Sequence, residues 1–101
     1  MKRVIDGKIY DTDTAERIGT HGYSNFSDFR HENTDLYKTK KGAWFLCGEG
    51  GPLSRWSRSV GNGQTGGSGI EALTTTEALA WCEAAGINAD TIAKYFLVVE
   101  A

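Results

Sequence analysis

The chain reads as an α+β domain: a small antiparallel sheet with a short N-terminal helix, and C-terminal helices packed on one face. Three observations predict it. Leu36-Tyr37-Lys38-Thr39 and the apolar Ala43-Trp44-Phe45-Leu46-Cys47 flank Lys40-Lys41-Gly42, a strand pair about a glycine-bearing turn. Leu73-Thr74-Thr75-Thr76-Glu77 fits a capping box, with Thr74 as N-cap and Glu77 reaching back to its amide. The 101 residues, 40% of them hydrophobic, suffice for one core without staples and leave no length for a second domain, so residues 1–101 form a single unit.

The elements follow in order. Val4-Ile5 and Ile9-Tyr10 about Asp6-Gly7 predict a short β-ribbon. Asp11-Thr12-Asp13-Thr14 offers helix caps, and Thr12, Ala15, Glu16 and Ile18 suggest a helix of two turns stopped by Gly19 or Gly22. The block Phe26 to Glu32 alternates poorly although it carries aromatics. The strand pair at 36–47 comes next, its second arm apolar enough to be central. Residues 48–69 hold most of the 13 glycines and read as a long, partly flexible loop, within which residues 53–60 fit either one helical turn or an irregular segment that docks Trp56 and Leu53 on the domain. A helix then runs from about 75 to Gly86, with Ala78, Leu79, Cys82 and Ala85 on one face. A second helix begins at Asn88 or Asp90 and uses Ile92, Tyr95 and Phe96. Leu97-Val98-Val99 fits a tail or an added strand equally. The expected core is Ile5, Ile9, Ile18, Leu36, Trp44, Leu46, Leu79, Cys82, Ile92 and Phe96.

A net charge of −2 argues against general binding to a phosphate backbone. The charge is uneven. Residues 30–60 carry Arg30, Lys38, Lys40, Lys41, Arg55 and Arg58 against Glu32, Asp35 and Glu49, a local surplus of three, and the remainder is correspondingly acidic. Cys47 and Cys82 form no Cys-x-x-Cys pair and read as buried free thiols. The apolar run at the N-terminus breaks at Asp6, which is unlike a signal peptide, and Tyr95 to Val99 is too short to span a membrane. A reduced, cytoplasmic setting is expected.

Motifs for catalysis and cofactors are weak. Gly61-Asn62-Gly63-Gln64-Thr65-Gly66 satisfies Gly-x-Gly-x-x-Gly, yet the sequence offers no good strand immediately before it and more glycines follow where a helix should start, so a mobile linker is the simpler account. His21, His31, Cys47 and Cys82 match no zinc spacing. Ser24, Asp28 and His21 lack a nucleophile elbow, and the pairs Asp11/Asp13 and Asp28/Glu32 read as caps and surface charge. No enzyme, no cofactor and no metal is expected.

The remaining constellation interleaves cations and aromatics: Tyr37, Lys38, Lys40, Lys41, Trp44, Arg55, Trp56 and Arg58. Arg and Trp anchor protein interfaces, and the same types stack on and neutralise single-stranded nucleic acid. Lys38, Lys40, Lys41, Arg55, Trp56 and Arg58 are the expected partner-binding residues.

Three segments carry a resemblance: Val4-Ile5-Asp6-Gly7-Lys8-Ile9-Tyr10-Asp11-Thr12, Tyr37 to Leu46 continued by Gly48-Glu49-Gly50-Gly51-Pro52-Leu53-Ser54, and Leu73 to Trp81. Together the chain resembles a family of short uncharacterised proteins of bacterial mobile elements, prophages and plasmids. The resemblance implies inhibitors of host defence, anti-CRISPR proteins among them. The expected function is a non-enzymatic inhibitor that occludes a surface of a host protein or ribonucleoprotein complex. It acts either through the cationic patch on an acidic partner or through the acidic remainder as a nucleic-acid mimic. The alternative is a nucleic-acid-binding accessory protein that uses the patch of residues 37–58 directly. No membrane partner is expected.

Overall fold

A computed structural model gives the fold and describes residues 1–23 and 30–101. Strands β1 (Lys2–Ile5) and β2 (Lys8–Asp11) form the antiparallel ribbon predicted from Asp6-Gly7. Both turn residues take positive φ, 51° and 75°, as a two-residue hairpin that matches the strand twist requires.

The short N-terminal helix is not formed. Asp11 instead closes a turn, its carboxylate accepting the Asp13 amide at 2.9 Å and its carbonyl accepting that of Ala15 at 3.1 Å. The chain then enters strand β3 (Glu16–Tyr23). An isolated helix of two turns is marginal in water, whereas these residues gain a full ladder against β4 (Glu32–Lys38) and bury Ile18. A bulge between Arg17 and Gly19 accommodates the glycine, which lies under Ile87 and Trp81. Of the block 26–32, residues 26–29 lie outside the described residues.

Strand β5 (Trp44–Gly50) pairs with β4 about the turn at 39–43, where Gly42 has φ 90°. The segment 48–69 is not one open loop. It contains the end of β5, the ribbon β6 (Arg58–Val60) with β7 (Gly63–Thr65), and the start of β8 (Gly67–Leu73). The main sheet has the order β3-β4-β5-β8, antiparallel throughout. Strands occupy 45% of the described residues and helices 19%, so a sheet-dominated architecture replaces the expected α+β domain with a small sheet.

Both sheet faces are covered in part. Leu36, Trp44 and Leu46 pack against Ala78 and Cys82 of α1 (Thr75–Ala85) and against Phe96, which follows α2 (Ala89–Tyr95). The Trp44 and Phe96 rings stack with centroids 4.5 Å apart. On the opposite face the β1–β2 ribbon lays Tyr10 edge-on to Phe45, and Tyr37 stacks on the same ring. Phe45 is therefore fully buried although it was absent from the expected core. Ile9 was expected inside and is 64% exposed, because it pairs with Val4 on the outer side of the ribbon.

The helix signals hold. Thr74 and Glu77 form the reciprocal capping box, Gly86 ends α1 at φ 70°, and the Asn88 side chain caps α2. Leu97-Val98-Val99 is an unpaired tail, with Leu97 and Val99 almost fully exposed.

Candidate functional site

The β4–β5 turn is rigidly built. Thr39 donates its amide to the Ala43 carbonyl at 2.8 Å and accepts the Ala43 amide on its hydroxyl at 3.0 Å. This ladder ends the sheet and holds Lys40 and Lys41 in water, both exposed. Lys38, the last residue of β4, lies half-buried with its ammonium 5.3 Å from the Trp44 ring centre and 5.9 Å from that of Tyr95. Aromatic faces attract a cation without neutralising it. Lys94 approaches Tyr95 from α2 at 5.3 Å, so two ammonium groups share one ring.

The Tyr95 hydroxyl donates to the Glu16 carboxylate at 2.8 Å, which ties α2 to β3 at the same end of the molecule. Lys38 and Lys40 line a cleft of about 320 Å³ there, together with Thr14, Ala15, Glu16 and Thr39. Lys38 and Lys40 thus share this cleft with the Glu16 carboxylate, Lys41 follows in the same turn, and Lys94 reaches the Tyr95 ring from α2. Lys94 was missed by the sequence analysis, because a lysine in the last turn of a helix reads as an ordinary C-terminal charge.

The other three expected residues lie elsewhere. Along β4 the two ends of the sheet are separated by roughly 20 Å at the usual strand rise, and residues 51–58 return to the end opposite the lysine turn. Trp56 is buried, with its indole over Gly48 and Gly69 and its Nε1 donating to Thr34 Oγ1 at 2.9 Å. Thr34 in turn donates to Glu32 at 2.8 Å. Trp56 is a core anchor and presents no face to a partner. Arg55 is exposed but paired with Glu71 at 3.7 Å. Arg58 lines a separate cavity with His31, Asn33, Glu49 and Ser68. The structure therefore gathers Lys38, Lys40 and Lys41, and separates them from Arg55, Trp56 and Arg58.

The weaker motifs are dispersed as well. Gly61 forms the β6–β7 turn with φ 56°, Gly63 opens β7, and Gly66 sits against the Gly50 carbonyl, so no helix N-terminus stands behind the Gly-x-Gly-x-x-Gly run. Cys47 and Cys82 are both free and lie on opposite faces of the sheet; Cys82 is buried, but Cys47, expected inside, is only partly so because it stands near the open end of the ribbon-covered face. No metal-ligating cluster of three or more His, Cys, Asp or Glu occurs among the described residues. Ser24 and Asp28 lie outside the described residues. Burial pushes the Cys47 thiol and the Tyr37 hydroxyl up, with the Asp35 carboxylate adding to both, and burial also raises Cys82. Raised thiols are poor nucleophiles at neutral pH. Among the described residues no helix is long and apolar enough to cross a membrane.

Comparison with family models, with curated proteins and with solved structures found no match.

Proposed function

We propose that the chain is a non-enzymatic binding protein that docks its lysine end on an acidic surface of a bacterial host protein or ribonucleoprotein complex in the cytoplasm. Docking blocks the complex by occlusion, in the manner of an anti-CRISPR inhibitor carried by a prophage or plasmid. The observation that carries this reading is the placement of Lys38, Lys40 and Lys41 at one end of the sheet, where Lys94 meets Lys38 on the Tyr95 ring. Such a cluster steers a complementary partner and rejects cationic ones.

Direct binding of single-stranded nucleic acid is the weaker alternative. It needs open aromatic faces for bases to stack on. Trp56 is buried, Trp44 is 3% exposed beneath Phe96, and Tyr37 is stacked on Phe45, so the aromatics of the 37–58 patch are already occupied.

The test is affinity capture with tagged protein from nuclease-treated bacterial lysate, read by mass spectrometry and repeated across a salt series. A host complex that survives nuclease and is retained through moderate salt is expected. Recovery that vanishes with nuclease, or a steep linear loss with the logarithm of salt concentration, overturns the reading in favour of nucleic acid.

A further inference from the structure

At the end of the sheet opposite the lysines, no described element covers the face that carries the β1–β2 ribbon. Asn33, Glu49 and Ser68 stand there in one cross-strand row, since Asn33 pairs with Glu49 and Glu49 with Ser68. Alternation along the strands puts all three on the side of Phe45 and Ile70. The floor continues onto glycine. Gly22 pairs with Asn33, and the Asn33 amide oxygen lies 2.7 Å from where a Cβ on Gly22 would stand. Arg58 lines the same space from across β8, its aliphatic stem standing 3.0 Å from the Cβ position of Gly67, which faces the Trp56 side. Asn33, Glu49, Arg58 and Ser68, with His31, Gly50 and Gly67, line an open cavity of about 510 Å³, a volume suited to a small molecule.

The charges in this cavity are what define a ligand. Neither Glu49 nor Arg58 is in an ion pair among the described residues, although both line the same space. An anionic ligand alone would meet the Glu49 carboxylate, and a cationic one alone would meet the Arg58 guanidinium. A ligand carrying one charge of each sign satisfies both, with Asn33 and Ser68 supplying neutral donors and acceptors between them. We propose that this cavity binds a small dipolar molecule of the amino-acid or short-peptide class. Its carboxylate lies on Arg58 and its ammonium on Glu49. The site is independent of the lysine end and of the occlusion reading.

The test uses glycylglycine as the probe, followed by amide resonances in ¹H–¹⁵N spectra of the whole chain. Saturable shifts are expected at Gly50, Gly67 and Ser68, which line or adjoin the cavity. Capping the probe's amine with acetyl, or its carboxylate as an amide, removes one charge-assisted contact each and is expected to weaken binding roughly tenfold or more. Glu49→Gln should erase the advantage of the free amine over the acetylated probe, and Arg58→Gln that of the free carboxylate over the amide. Both side chains are exposed, so unchanged spectra away from the cavity confirm that each variant keeps the fold. Shifts that do not saturate, or equal affinity for the free and doubly capped probes, overturn the proposal.

Discussion

Trp56 shows how a single residue decides what a segment does. Its type and its cationic neighbours Arg55 and Arg58 mark it in the sequence as an interface anchor, but its indole is satisfied inside the protein by Thr34 at 2.9 Å. The sequence does hold a signal for this. Gly48 and Gly69 are cross-strand partners, and two glycines facing each other in a sheet leave a flat bed for a large ring. Recognising that bed requires the register of β5 against β8, which local pattern does not supply. Trp56→Phe should cost about 1–3 kcal/mol in denaturant unfolding, since it leaves Thr34 without its buried donor. Gly48→Ala should cost a similar amount by overpacking, because its Cβ would press on the Asn33 carbonyl and stand 2.5 Å from Trp56 Nε1. Loss of less than a few tenths of a kcal/mol in either variant would remove Trp56 from the core account.

Elements with a strong local device were legible, and those fixed by long-range pairing were not. The Asp6-Gly7 ribbon, the Gly42 turn and both C-terminal helices each carry their own turn or cap residues. β3 and β8 are edge strands rich in glycine, and only their ladders to β4 and β5 make them strands. The capping box allows two checks. Thr74→Ala should lower stability by about 1 kcal/mol, as removal of an N-cap hydroxyl does. The Thr74 amide, and then its hydroxyl, hold the Glu77 carboxyl below its usual range. A depressed carboxyl stabilises the fold above its unfolded pKa, and that contribution is lost as pH falls through the folded value. Glu77→Gln keeps the capping geometry and should flatten the acid side of a Tm-against-pH curve; an unchanged acid limb would show that the box does not titrate with folding.

For the whole molecule, the 46 × 34 × 20 Å extents describe a flat body with distinct chemistry at its two ends. The lysine turn stands at one end of the sheet and the Arg58–Glu49 cavity at the other. The charge surplus of residues 30–60 was visible in the sequence. Its division was hidden, because antiparallel strands carry neighbours in sequence to opposite ends of a sheet. Half of the expected patch, Lys38, Lys40 and Lys41, therefore carries the docking proposal, and Lys94 joins it from a helix more than 50 positions away in the chain. Cys82, the partly buried Cys47 and Tyr37 act on the whole fold in one further way. Their ionisation is disfavoured inside, so stability present at neutral pH should fall as pH rises through the ordinary thiol and phenol values of 9.0 and 10.0.

The central claim is that the lysine end makes the contact with a partner. It is tested most directly by capture with Lys40→Glu combined with Lys41→Glu, beside Glu49→Gln as a matched surface variant at the opposite end. Both lysines are exposed and outside every hydrogen bond that shapes the turn, so the double variant should unfold within about 0.5 kcal/mol of the parent. The account predicts that the nuclease-resistant host complex is lost with the double variant and retained with Glu49→Gln. Undiminished capture by the charge-reversed protein would contradict it.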